Sequence, residues 1–246
     1  MKENENKFEV FFSSKNYQKI KNSFYHYRYR KKEIKTAFFK FFPHNNSLKL
    51  LDIGSGISSV SPFPKETLHI DYAKDAVSLM KKLGYSAKYG DIINLKEKTS
   101  TFDCIFCSEV LEHVKEYKKA ILELNRILKK NGKLIITVPV HEKYWNVDDK
   151  IVGHYRRFNI EELKKDLKKS RFKILIEKPI GSYLDRILTT FAVKFFDQSN
   201  SNKPLNSFKA YLIILANSFI YLLIRASLVF TSKNTTSVML YVCEKE

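Results

Sequence analysis

The chain has 246 residues, 44% of them hydrophobic and 28% charged, a balance that excludes a wholly disordered polypeptide and suits one α/β domain with decorations. Its 44 Lys and Arg against 26 Asp and Glu leave a formal net charge of +18, which points to nucleic acid, an anionic membrane surface or an acidic substrate without choosing among them. Three cysteines do not make a disulfide framework, and the start "MKENENKFEV" has no apolar run, so a reducing, cytoplasmic location is expected.

In chain order, residues 16–42 predict a helix in which Tyr, Phe and Ile are spaced among Lys and Arg, stopped by Pro43. "LKLLDIG" is a short apolar run ending in glycine, the pattern of a buried parallel strand. "TLHID" is a second such run, and "AKDAVSLMKKLG" is an amphipathic helix closed by Gly84. "YSAKYGDI" and "TFDCIFCSEV" give the third and fourth strands. The helix "YKKAILELNRILKKNG" follows, with Asn-Gly as its expected stop. "KLIITVPV" is the fifth strand, "NIEELKKDLKKS" a helix with Asn159 as its N-cap, and "FKILIEKPI" the sixth strand. The tail "SVMLYVCEKE" alternates as a seventh. Strands alternating with helices predict an α/β fold, a doubly wound, mostly parallel, seven-stranded Rossmann-like sheet. A single domain is expected: an N-terminal helical extension over 1–47, a core over 48–180 and 235–246, and a helical apolar insertion over 181–234 before the last strand.

In such sheets ligands lie at the carboxyl ends of the strands. Asp52 is near the end of the first strand and is followed by Gly54 and Gly56, residues that allow a tight turn and close approach of a ligand. Asp71 ends the second strand, where a carboxylate can accept both hydroxyls of a ribose, and Asp91 ends the third, within reach of an adenine amino group. A dinucleotide suits this loop poorly. Ser58 stands where a third glycine is needed, and Pro62 and Pro64 prevent a normal-length helix whose N-terminus would hold a pyrophosphate.

Glu109, Glu112 and His113 in "EVLEHV" fall at helical spacing and offer a zinc reading. That motif requires His at the position of Glu109, so no metal is expected. Cys104 and Cys107 are three apart in a strand and so point to opposite faces, which suits small core residues and not a paired thiol site.

"LLDIGSG", "LHIDYA", "YGDI", "FDCIFCSEVLEHV" and "LKKNGKLIITVPV" are similar, in order and spacing, to the successive motifs of class I S-adenosylmethionine-dependent methyltransferases. The resemblance covers roughly residues 48–180 with a closing strand at 236–244, and it implies S-adenosyl-L-methionine as the cofactor. By that analogy Asp52 is one of the cofactor-binding residues, Gly54 and Gly56 pass under the methionine moiety, Asp71 holds the ribose, Asp91 contacts adenine and Ser108 lines the sulfonium region. Arg28 or Arg30 in "YHYRYRKK" resembles an N-terminal basic motif that clamps the cofactor carboxylate. Ser55 and Ser58 depart from the family pattern of the first motif.

"YWNVDDKIVGHYRRFNIEEL" follows the fifth strand, where these enzymes build the acceptor site. Its Trp145, Asp149 and Gly153-His154 with Arg156 and Arg157 resemble the Gly-His-x-Arg-Arg-aromatic loop of a subgroup acting on lipid-linked or glycan-pathway substrates. A similar loop occurs in quinone-pathway O-methyltransferases, and Asp148 departs by replacing His. Chemically, His154 can take a hydroxyl proton near neutral pH, Asp149 can orient it, and Arg157 can hold a phosphate or carboxylate. The alternative is that the Asp-His-Arg set only pins the loop to the sheet.

The resulting expectation is O-methylation of a small or lipid-linked acceptor. Two other classes stay open. A nucleic-acid methyltransferase would use the basic charge, although the exit "SEVLEH" lacks the Asn/Asp-Pro-Pro-aromatic sequence of base-amino methylators. A scaffold that keeps the fold without the reaction is the other. Between Lys209 and Lys233 lie 23 residues with one charge, Arg225, long enough to span a bilayer. The flanking sixth and seventh strands must return to one sheet, so the expectation is a hairpin lying on the anionic cytoplasmic face of the membrane, with a helical lid or dimer interface as the alternative.

Overall fold

The computed structural model describes residues 25–44, 47–188 and 207–246. Its strands are β1 (Leu50–Ile53), β2 (Thr67–Asp71), β3 (Ser86–Tyr89), β4 (Phe102–Ser108), β5 (Leu128–Pro139), β6 (Phe172–Pro179) and β7 (Val238–Lys245). They form one sheet in the order β3-β2-β1-β4-β5-β7-β6. β7 runs antiparallel to both β5 and β6, and β3, β2, β1, β4 and β5 are parallel. This is the seven-stranded Rossmann-like sheet expected from the alternation, with the reversed last strand slotted inside the edge.

The helices are α1 (Tyr25–Phe41), α2 (Lys74–Lys82), α3 (Tyr117–Ile127), α4 (Val147–Ile151), α5 (Ile160–Lys169) and α6 (Ser207–Ser227), and residues 183–188 are also helical. Asn159 caps α5 as expected, its side chain accepting from the Glu161 and Glu162 amides. One helix ends early. α3 gives way at Leu128, whose backbone pairs beside Phe102, and Asn131-Gly132 fall inside β5 with a register shift. Full burial of Leu128 in the sheet outweighs the Asn-Gly stop signal.

Two hydrophobic layers cover the sheet. On one face Ala120, Ile121, Leu124 and Ile127 of α3 and Leu163 and Leu167 of α5 pack on Ile105, Leu134, Ile136 and Tyr241. On the other, Ile34, Ala37 and Phe38 of α1 pack on Leu50, Phe106, Ile135, Leu240 and Val242. Cys107 belongs to the first layer and Cys104 to the second, so the two thiols lie on opposite faces of β4.

The expected helix start at residues 16–24 lies outside the described residues, as does the insertion between 188 and 207. α6 packs beside α1, with the Tyr29 and Tyr221 rings 6.4 Å apart and Ile224 buried. Its outer side exposes Leu215, Phe219, Leu222 and Leu223, and Phe230 beyond it is 88% exposed. Among the described residues no helix is long and apolar enough to cross a membrane.

Candidate active site

The loop after β1 is built by glycine and serine. Gly54 and Gly56 have φ of +67° and +57°, and a Cβ on Gly54 would stand 2.5 Å from Val110 Cγ2. Only glycine lets this loop close against the turn that leaves β4. The Gly56 amide donates to Asp71 Oδ2 at 2.8 Å and the Ala73 amide to Asp71 Oδ1 at 2.9 Å. These two bonds fix the orientation of the Asp71 carboxylate at the exit of β2.

Asp52 departs from the expectation that it contacts a cofactor. It is 1% exposed, and its Oδ2 accepts from the Ser59 hydroxyl at 2.7 Å and the Val60 amide at 2.8 Å. Burial raises its carboxyl above the ordinary carboxylate range, with His69 and the Ser59 hydroxyl opposing. Its place is beneath the loop, whose shape it sets. No helix forms over residues 54–66, as the prolines predict. Serine and threonine hydroxyls take its place: Ser61 Oγ lies 2.7 Å from Thr67 Oγ1, and the Ser61 amide donates to Ser59 Oγ.

Asp91, at the exit of β3, accepts from the Ile93 amide at 3.1 Å and is half-buried. Ser108 ends β4 with its hydroxyl 2.9 Å from that of Thr137, which in turn donates to Glu109 Oε1. Glu109 has φ +54°, a strained value for a non-glycine residue and one that concentrates at functional turns. Arg30 pairs with Glu109 at 3.1 Å. Arg28 turns the other way, donating to Ser218 Oγ and stacking over Tyr221 of α6. Of the two arginines, only Arg30 is at the strand exits.

The segment after β5 folds around one carboxylate. Asn146 and Asp149 form a reciprocal capping box at the start of α4. Asp149 is fully buried and accepts from His154 Nδ1 at 2.7 Å, Arg157 at 2.9 and 3.0 Å, Arg186 at 2.9 Å and the Asn146 amide at 2.9 Å. Burial alone would raise its carboxyl, but the bonds from His154 and Arg157 outweigh it and bring it down to about 2. Gly153, with φ +76°, provides the reversal that folds His154 back onto Asp149.

The expected anion-holding role of Arg157 needs correction. Its side chain is 5% exposed and is committed to Asp149 and the Ser237 carbonyl, so it positions the loop. Arg156 likewise binds the Val114 and Lys115 carbonyls over the Tyr117 ring. Arg186, which the sequence reading does not single out as a site residue, grips Asp148 with both Nη atoms and donates to the Tyr144 carbonyl. A charged pair flanking an apolar insertion was the available signal.

His154 presents Nε2 toward the turn that follows β4. Residues Leu111–His113 form a 3-10 turn there, not the α-helix assumed from spacing. The Tyr155 amide donates to the Glu112 carbonyl at 2.8 Å. His154 Nε2 is 3.9 Å from Glu112 Oε1, and the His113 and His154 rings are 4.6 Å apart. Burial and the neighbouring Glu109 push the Glu112 carboxyl well above the usual range. Burial and His154 bring His113 down to about 3.

The family described as a methyltransferase domain matches residues 51–136. An uncharacterised protein of Methanocaldococcus jannaschii, MJ0638, is 30% identical over 145 residues, which cover 57% of this chain and 62% of that one. Among solved structures, Haemonchus contortus phosphoethanolamine N-methyltransferase 2 in complex with S-adenosyl-L-methionine has a TM-score of 0.58 at 16% identity, over 87% of this chain and 52% of that one. The [4+2]-cyclase SpnF has the same TM-score of 0.58 at 16% identity, over 87% and 80%. These structural likenesses establish the fold. The chain thus spans less than two thirds of MJ0638 and about half of the phosphoethanolamine enzyme.

Proposed function

We propose that the methyltransferase domain matched over residues 51–136 is an active S-adenosylmethionine-dependent enzyme that methylates an oxygen of a small or lipid-linked acceptor. Because a cyclase shares the fold, the reading rests on the site and not on the architecture. One observation carries it. The glycine turn closes against Val110, and the acceptor loop is tied through Tyr155 to Glu112, so both halves meet on the short segment leaving β4.

Asp71, Gly54 and Gly56 hold the nucleoside and methionine parts, with Arg30, Asp91 and Ser108 at neighbouring strand exits. S-adenosylmethionine, when bound, would supply a methyl group activated by its sulfonium, with the electron pair of the C–S bond returning to sulfur as the acceptor oxygen takes the methyl. His154 Nε2 would take the hydroxyl proton of the acceptor. Asp149 fixes the ring through Nδ1, and Arg157 and Arg186 fix Asp149. Orientation supplies much of the rate, since the sulfonium already carries an activated methyl.

Calorimetry with S-adenosylhomocysteine tests the cofactor half. Asp71→Ala is expected to weaken binding by about 1.5–3 kcal/mol, the range of charge-assisted hydrogen bonds. Unchanged affinity would remove Asp71 from the ribose.

The acceptor reading extends to a membrane surface. The exposed Leu215, Phe219, Leu222, Leu223 and Phe230, with Arg225 and Lys233 nearby, suit a helix lying at the headgroups of an anionic bilayer. Arg186 ties the start of this insertion to the acceptor loop, so a lipid-borne substrate would be delivered beside His154. The protein is expected to float with anionic liposomes at low salt, and the Phe219→Ser, Leu222→Ser, Phe230→Ser variant to stay behind. Wild-type protein remaining in the soluble fraction would end the membrane reading.

A further inference from the structure

We propose that Glu112, His113 and His154 form a binding site for a divalent transition-metal ion, of the zinc or manganese type, at the acceptor side of the crevice. The proposal rests on the methyl-transfer reading for its catalytic role, but the site itself is argued from geometry.

Each of the three residues offers one ligand atom, and these atoms lie within 4.8 Å of one another. Three ligands each about 2.1 Å from an ion at tetrahedral angles stand roughly 3.4 Å apart, so the widest separation in the set would close by up to about 1.4 Å on binding. Glu112 is the second, independent sign. Its side chain is fully buried, and neither carboxylate oxygen has a hydrogen-bond partner. An unsatisfied buried polar group is destabilising and a charged one more so, and a carboxylate in this state calls for a partner that supplies positive charge.

The surrounding charges leave that place open. Glu109 is matched by Arg30, Asp148 by Arg186, and Asp149 by Arg157 with a second bond from Arg186. Among the described residues Glu112 alone in this group has no hydrogen bond from a cationic side chain. His154 is already arranged as a ligand, because Asp149 holds Nδ1 and leaves Nε2 toward Glu112 at 3.9 Å. A carboxylate behind an imidazole is the usual support of a metal-bound histidine. Two imidazoles and one carboxylate favour transition ions over magnesium or calcium.

Three protein ligands leave at least one coordination position, which suits an acceptor oxygen. With Nε2 taken up as a ligand, the ion would replace the imidazole's role as base: it would lower the hydroxyl pKa, and the proton would pass to water. The expectation of no metal arose from reading Glu109, Glu112 and His113 as one helical face. The 3-10 turn breaks that face, and His154, 41 residues after His113, completes the set.

The test is metal analysis and titration of the intact protein with Zn2+ and Mn2+, with Mg2+ as control, in parallel with S-adenosylhomocysteine calorimetry. One tightly held Zn2+ or Mn2+ is expected per chain. Removing a supporting residue from a metal site costs ~10–100-fold in affinity, so Glu112→Gln and His113→Ala should each lose at least that much while still binding S-adenosylhomocysteine. The retained cofactor binding shows that the variants are folded. Failure to bind Zn2+ or Mn2+, or equal binding by wild type and Glu112→Gln, would overturn the metal site and leave the methyltransferase reading standing. Metal binding without any S-adenosylhomocysteine binding would instead overturn that reading and leave the site.

Discussion

Alanine at His154 is expected to slow methyl transfer by ~10²–10⁴-fold, the contribution of a positioned group that controls a proton in the transition state. The imidazole is the reactive end of a chain that runs Arg157 and Arg186 to Asp149 to His154, each link between 2.7 and 3.0 Å. The described bonds of that chain converge on Asp149 in the loop after β5, apart from the glycine turn after β1, so affinity for S-adenosylhomocysteine should change little. kcat should fall with cofactor KM nearly constant. A variant with near-normal rate and a lowered melting temperature would show that His154 only packs the loop.

Alanine at Asp149 should act on the fold itself. The carboxylate is fully buried and balances the guanidiniums of Arg157 and Arg186, whose side chains are 5% and 9% exposed. Removing it strands buried positive charge, a change that costs about 3–5 kcal/mol. Urea unfolding of Asp149→Ala should show that loss, and Asp149→Asn, which keeps a carbonyl oxygen as acceptor, a smaller one. A loss under about 1 kcal/mol would be that of a solvent-screened surface pair and would contradict the central role of this carboxylate.

The sheet was legible because its signals are local. "LLDI", "TLHID" and "FDCIFCS" are short apolar runs, and each became a parallel strand with its polar exit at one edge. Gly54 and Gly56 were legible as turn residues because positive φ is a property of a single residue. Roles that depend on partners far away in sequence were not. Asp52 and Asp71 look alike as strand-end acids, yet Ser59 and Val60 claim the first from inside the loop. Arg157 reads as an anion binder until Asp149 is placed beside it. Arg186 gains its meaning only when the chain brings it to Asp148, 38 residues away. Glu112 was obscured by period: a 3.6-residue spacing was assumed where the backbone makes a 3-10 turn.

Calorimetric titration of the intact protein with S-adenosylhomocysteine bears most directly on the central claim. Saturable binding of one molecule per chain, weakened by Asp71→Ala and retained in His154→Ala, is the predicted result; absence of binding to the folded protein would contradict it.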